Sequence, residues 1–263
     1  MVMNIRILQG KDLDEMLLQS MINKIEEIQF NAWPALNSHL YDGWVLRLSE
    51  GVTRRSNSIS PIYASTLDIH EKIDHCEAVF RDAGFPVIFK LTEEVHPPDL
   101  DKILEKKGYA FDAETSVQLL DMKAVEPCID NSVSISGSLE RVWLERFIEY
   151  NGYSKDKTDA YGNIIRRIKP LTGFADLYVN GQHAGCGLGV VLDDFLGLFD
   201  IVIAPEFRRK GYGKRLVTSI MNWGKEHDAQ TAYLQVMLDN PAGLALYRDL
   251  GFKEIYTYWY RVK

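Results

Sequence analysis

Cysteine is scarce: the 263 residues contain only Cys76, Cys128 and Cys186. Their odd number and wide separation exclude a disulfide framework and paired zinc-site spacing, leaving buried free thiols as the expectation. Also missing is any apolar run of about 18 residues that would span a membrane. The first twenty or so residues lack the apolar segment and small-residue cleavage site of a secretory leader, so a cytoplasmic chain with no membrane partner is expected. Positive charge is in deficit, with 30 Lys and Arg against 37 Asp and Glu for a net charge of −7. Broad nucleic-acid binding needs many cations to displace counterions from phosphates, so no nucleic-acid partner is expected. The six histidines are scattered without ligand spacing, and no metal is expected. Neither the GxxxxGK[ST] phosphate loop nor the GxGxxG dinucleotide turn occurs.

What is present is a repeat. The length exceeds the roughly 100 to 200 residues usual for one domain, which predicts two domains, each large enough for its own core. Residues 86–92, 97–109 and 111–122 read as strand, helix with Gly-aromatic ending, and strand; residues 231–238, 240–252 and 253–262 repeat that order. Gly108 and Gly251 lie 143 apart and Pro61 and Pro205 lie 144 apart, so the offset holds across the half. Each of these prolines is followed by a helical stretch, 69–84 in one copy and 213–228 in the other. Loop chemistry at Pro127, Asp130, Asn131 and Ser132 places the boundary within 123–132, dividing the chain into domains 1–125 and 126–263. Downstream, 138–153 and 157–170 read as helices. Residues 174–192 read as two strands joined at Asn180-Gly181, a type I′ hairpin signal, and 195–204 as a third strand.

That third strand leads into a basic, glycine-containing turn and then a helix. Such a turn places backbone N–H groups without intrahelical acceptors at the positive end of a helix dipole, where a phosphate is favoured. Gly211 and Gly213 let an anion approach without a Cβ in the way. Arg208, Arg209, Lys210, Lys214 and Arg215 add positive charge.

The run Arg208-Arg209-Lys210-Gly211-Tyr212-Gly213 resembles the [Q/R]xxGx[G/A] turn of the GNAT N-acetyltransferases, with Ile203-Ala204-Pro205 standing where that family has its Val-x-Pro strand exit. Further on, Asn240-Pro241-Ala242 through Leu246-Tyr247 to Gly251-Phe252 resembles the family's NxxAxxLYxxxGF signature. The ending Tyr258-Trp259-Tyr260-Arg261-Val262 looks like a tandem subfamily that also carries upstream segments matched here by Trp33-Pro34-Ala35, by Gly43-Trp44 with Leu46-Arg47, and by Thr53 to Ser58. The resemblance implies an α/β fold of two tandem GNAT-like domains, each a twisted, mixed but mostly antiparallel sheet flanked by helices. After Pro61 there is neither glycine pair nor basic cluster, so the first copy is expected to be degenerate and to lack the pyrophosphate loop.

The implied activity is acetyl transfer from acetyl-CoA to a primary amine, of a small molecule rather than a protein, by a monomer or homodimer. A donor site follows from the family: the cradle Arg208, Arg209, Lys210, Gly211, Tyr212, Gly213 and Lys214, a main-chain N–H of Ile201, Val202 or Ile203 to polarise the thioester carbonyl, and Asn240. Asn240 also reads simply as the N-cap before Pro241. Tyr247 lies about two turns further along the same helix face, where the family places its general acid; its plainer role is a half-buried aromatic. Gln235 stands where some members carry a basic Glu, which leaves Asp200 as the carboxylate for the amine, unless it is a solvated strand-end residue. Acceptor contacts are expected from Tyr150, Tyr153 and Tyr161, on a stretch read as a mobile lid, and from Trp33, Trp44 and Arg47 on the opposite wall. A non-catalytic acyl-CoA sensor or a scaffold is the alternative function. Retention of both Asn240 and Tyr247 argues against the sensor.

Overall fold

The computed structural model describes residues 15–126 and 130–263; Cys128 and Pro127 lie outside the described residues. In chain order the elements are α1 (Glu15–Ala32), β1 (Asn37–Tyr41), β2 (Trp44–Leu48), β3 (Ile59–Pro61), α2 (Ile69–Asp82), β4 (Ile88–Thr92), α3 (Leu100–Lys106) and β5 (Ala110–Asp121). They continue with β6 (Val133–Ser136), α4 (Arg141–Tyr150), α5 (Lys157–Ile165), β7 (Leu171–Val179), β8 (Gln182–Leu192), β9 (Phe195–Ile203), α6 (Tyr212–Glu226), β10 (Thr231–Met237), α7 (Pro241–Asp249) and β11 (Lys253–Val262). Local chemistry sets many of these limits. Asn180 and Gly181 take φ of 52° and 79° and close the β7–β8 hairpin. The Asp68 carboxylate caps α2 by accepting from the N–H groups of His70 and Glu71.

All eleven strands described join one mixed sheet, in the order β1-β2-β3-β4-β11-β5-β10-β9-β8-β7-β6. This order is a palindrome about the central β11 and β5: β4 matches β10, β3 matches β9, β2 matches β8 and β1 matches β7, with β6 appended at one edge. The two parallel pairs, β3 with β4 and β9 with β10, also sit at matching places. Every other neighbouring pair is antiparallel. The expected pair of separate sheets is therefore replaced by a continuous one: β11 runs between β4 and β5, and β5 between β11 and β10. Alternation along the chain marks where strands lie, but not which edges they join.

The core follows the sheet rather than the two halves. On one face, Ile22, Ile25, Ile28 and Ala32 of α1 gather with Trp143 and Phe147 of α4, Phe199, Tyr233, Tyr256 and Tyr258 into one buried cluster, so both halves fill it. Alternate strand residues turn to the other face. There Leu196, Leu198, Ala232 and Leu234 meet Leu216, Val217 and Ile220 of α6. A third cluster joins Trp44, Leu46, Phe89 and Leu91 to Ile73 and Phe80 of α2 and Leu100 and Leu104 of α3. Cys76 and Cys186 are free and buried.

Polar groups tie β11 to the N-terminal half from both sides. Asp101 of α3 accepts from Trp259 Nε1 at 2.7 Å and from Arg261 at 2.8 Å. On the α1 side, the buried Lys90 ammonium donates to Glu26 at 2.6 and 2.7 Å, and the Tyr256 hydroxyl donates to the same carboxylate at 2.7 Å. The Lys90 pKa is lowered by burial, against the attraction of Glu26. Removing one partner of such a pair leaves an uncompensated charge. Lys90→Met is therefore expected to cost about 3 to 5 kcal/mol of folding stability, read as the shift in a urea unfolding curve. A loss under 1 kcal/mol would show that this pair does not anchor β11.

Candidate active site

The geometry of the site starts from a break in β9. Leu188 of β8 pairs with Phe199, but Cys186 pairs with Val202, so Asp200 and Ile201 together oppose Gly187. Two residues against one is a β-bulge, and Asp200 carries it at a left-handed φ of 53°. A Cβ on Gly187 would meet Ile201 Cδ1 at 2.6 Å and Ile220 Cδ1 at 3.0 Å, so a larger residue there would push both side chains aside. On its other side, β9 stays parallel to β10 only as far as Leu198 and Leu234. Both strands continue, to Ile203 and Met237, and between their diverging ends opens a cavity of about 580 Å³.

Asp200 faces this cavity with its side chain only 3% exposed. It is thus a buried bulge residue and not a solvated strand end. One carboxylate oxygen lies 3.4 Å from Arg55 Nη2, while the other finds no partner among the described residues. Burial pushes the Asp200 pKa up to about 6, with the neighbouring Arg55 guanidinium and Tyr161 phenol pulling the other way. Arg55, beside a carboxylate in a low-dielectric setting, stays charged. Its guanidinium lies 4.4 Å from the Trp33 ring centroid and 5.6 Å from that of Phe199.

The opposite wall comes from β11 and α7. Tyr258 donates to Gln235 Oε1 at 2.8 Å, which occupies the glutamine side chain. Tyr247 lines the cavity, half-buried, with its ring edge-to-face against Phe252 at 5.8 Å. Burial holds its phenol up to about 12. Asn240 lines the same cavity while its Oδ1 accepts from Gly243 N–H at 3.0 Å, so the capping role is present.

The cradle turn lies beside the cavity rather than in its lining. Gly211 precedes α6 at φ +82°, with nothing within 4 Å of where a Cβ would stand. The Gly211 carbonyl receives the first helical bonds from Lys214 and Arg215, so the N–H groups of Gly211, Tyr212 and Gly213 precede the ladder. A Cβ on Gly213 would lie 3.3 Å from Leu246 Cδ2, which puts the turn against α7 one residue from Tyr247. Not every basic side chain points outward. Arg208 donates to the Ile203 carbonyl at 2.8 Å and the Tyr150 carbonyl at 3.0 Å, and Lys210 to the Glu206 carbonyl at 2.9 Å. Arg215 pairs with Asp130 at 2.7 Å. Arg209 and Lys214 make no ion pair among the described residues.

Of the expected acceptor contacts, Tyr153 and Tyr161 line the cavity. Tyr161 is not part of a loose lid, since it sits on α5 at 3% exposure, packed on Trp33 and Phe147, whereas Tyr153 lies in the exposed segment before that helix. The other four stand back. Trp33 is buried behind Arg55. Arg47 donates to the carbonyls of Arg55 and Trp33 and so fixes the loop instead of facing the cavity. Trp44 belongs to the α2 core, edge-on to Phe89, with Lys72 against its ring. Tyr150 turns away to His183, its hydroxyl 2.8 Å from Nδ1, and His183 Nε2 is 2.7 Å from Asp176. The lining residues that sequence reasoning missed are Arg54, Arg55, Lys157 and Tyr258. All four lie within segments with a reading of their own, since Arg54 and Arg55 belong to the Thr53–Ser58 stretch, Lys157 to the stretch between Tyr153 and Tyr161, and Tyr258 to the aromatic ending.

Among the described residues no three His, Cys, Asp or Glu side chains gather as a metal site, and no helix is long and apolar enough to cross a membrane. Residues 19–261 match the family model described as "Probable histone acetyltransferase Rv0428c C-terminal". The chain is 29% identical over 248 residues to the uncharacterized N-acetyltransferase YobR of Bacillus subtilis (strain 168), covering 92% of this chain and 98% of that one. It is 33% identical over 75 residues to the [ribosomal protein bS18]-alanine N-acetyltransferase of Escherichia coli (strain K12), 28% of this chain and 51% of that protein. Among solved structures, a GCN5-related N-acetyltransferase from Kribbella flavida shares the fold with a TM-score of 0.70 at 14% identity, covering 92% of this chain and 95% of that one.

Proposed function

The chain belongs to the GNAT N-acetyltransferases, within the family described by the Rv0428c C-terminal model, and from that premise we propose that it moves an acetyl group from acetyl-CoA to the primary amine of a small molecule. One observation carries the proposal: the buried Asp200 carboxylate and the Tyr247 phenol line one cavity at the point where β9 and β10 part. Acyl-CoA supplies a thioester whose carbonyl is attacked and whose thiol leaves. The open N–H groups and bare space at Gly211 fit its pyrophosphate, with Arg209 and Lys214 as the cations beside it. The bulge favours the N–H of Ile201 as the donor to the acyl oxygen, because Val202 and Ile203 have returned to register with Cys186 and Gly185.

An alkyl amine with a pKa near 10.4 is almost wholly protonated at neutral pH, so a base must take a proton before attack. Asp200 fills that role above its raised pKa, and Arg55 keeps it in place. Tyr247 donates to the sulfur as charge develops there. Gln235 has no proton chemistry to offer and instead holds the Tyr258 wall.

The palindromic strand order supports a tandem duplication in which the two copies exchanged their last strands, β5 and β11. The first copy would then be degenerate for a visible reason: its helix α2 begins with the Asp68 carboxylate on its N–H groups, where α6 begins with a bare glycine.

Thiol release from acetyl-CoA across an amine library tests the activity, with release dependent on one amine class as the expected result. Calorimetric binding of acetyl-CoA without release would favour the acyl-CoA sensor. No binding heat would leave only a scaffold.

A further inference from the structure

We infer that the amine acceptor carries a carboxylate, which Arg54 and Lys157 receive while the amine faces Asp200. This rests on the N-acetyltransferase function proposed above and concerns which amines that cavity takes.

Charge carries the inference. Among the described residues Asp200 is the sole Asp or Glu lining the cavity, against Arg54, Arg55 and Lys157. Such a surplus runs counter to a protein whose net charge is −7. Arg55 is already matched by Asp200 and held over Trp33 and Phe199. Arg54 and Lys157 are therefore the charges left to recognise something. Arg54 sits 6.0 Å over the Tyr260 ring and is bridged to Asp112, but both partners are well exposed, at 45% and 38%. An exposed pair of that kind holds weakly and yields to a better-placed anion. Lys157, the exposed first residue of α5, makes no ion pair among the described residues. Behind this lining, buried Arg47 and Lys90 face a single further carboxylate, Glu26, so the surroundings add to the positive field.

A simple alkylammonium or a polyamine entering here meets an unpaired Lys157, an Arg54 held only by the exposed Asp112, and one carboxylate that is already shared. An amine with a carboxylate satisfies both ends. These cations are not needed for the donor's pyrophosphate, because the cradle turn lies outside the cavity lining and carries its own basic residues. Thr53 and Asn151, also in the lining, add neutral donors suited to a carboxylate.

The test uses the full chain, acetyl-CoA, and glycine, β-alanine, 4-aminobutyrate and lysine, each paired with its carboxamide, with spermidine and a short peptide bearing a free N-terminus alongside. For at least one pair, the carboxylate should exceed the amide in kcat/KM by about tenfold or more, as a charge-assisted contact predicts. Arg54→Gln and Lys157→Gln should each narrow that ratio by about threefold or more, with KM for acetyl-CoA shifting less than about twofold. Equal use of amide and carboxylate, or a preference for spermidine or the peptide, overturns the inference and leaves the acetyltransferase standing. A change in KM for acetyl-CoA with the ratio intact would assign the two cations to the donor, and also overturns it. Should no amine release thiol, the proposed activity fails. Titration of CoA-saturated protein then decides the inference separately: heat from a carboxylate but not from its amide supports it, and equal or absent heat ends it.

Discussion

Asp200→Asn is expected to lower kcat/KM by about a hundredfold or more, the usual span for loss of a positioned base. The substitution keeps size and polarity, so the bulge and its left-handed backbone, which Asn tolerates, should survive. What disappears is proton acceptance. In the parent protein, kcat/KM should rise with pH through about 6, where buried Asp200 gives up its proton. In the variant that limb should be gone. A pH–rate profile of unchanged shape would take the carboxylate out of the reaction.

The same group predicts the sign of a stability effect. Its folded pKa of about 6 lies above the ordinary 3.8, because burial penalises the charged form. Between those values the folded chain holds a proton that the unfolded chain has released. Stability therefore falls as pH rises through that window and levels above it. Asp200→Asn should flatten this slope, which urea midpoints at pH 4, 5 and 6.5 would measure. Loss of activity together with a gain in stability at neutral pH would mark a site that trades one for the other.

Tyr247→Phe is expected to reduce turnover by about tenfold or more while acetyl-CoA affinity stays within a few fold. The ring packs on Phe252, and removal of the hydroxyl leaves that contact in place. A phenol held near 12 is neutral at any working pH, so it is always ready to donate. It is also a weaker acid than a thiol of pKa about 8.5. Its contribution is therefore greatest as a hydrogen bond to the sulfur while charge builds, with a full proton transfer running uphill. Turnover unchanged in the phenylalanine variant would remove the assignment.

Much of this was legible in the sequence because it is local. Gly211 and Gly213, the Asn240-Pro241 helix start and the Asn180-Gly181 hairpin each announce a backbone conformation within a few residues, and each lies where expected. Gly108 stands between α3 and β5 as Gly251 stands between α7 and β11, while Pro61 ends β3 and Pro205 follows the end of β9. Adjacency was not legible. Nothing in the alternation of β11 says that its partners are β4 and β5. For the same reason Arg55 went unplaced: it reaches Asp200 across 145 residues of chain, and only the shared sheet brings them together. Two aromatic residues misled for a different cause, since Trp33 and Trp44 carry as much apolar surface for packing as for binding.

The central place of β11 also sets an order of events during synthesis. β4 and β5 leave the ribosome long before β11, yet β11 must come to lie between them. Until it arrives, each presents an unpaired edge, the kind of surface that recruits foreign strands. The first half thus emerges as an unfinished sheet whose completion depends on late contacts of long sequence separation, which form slowly.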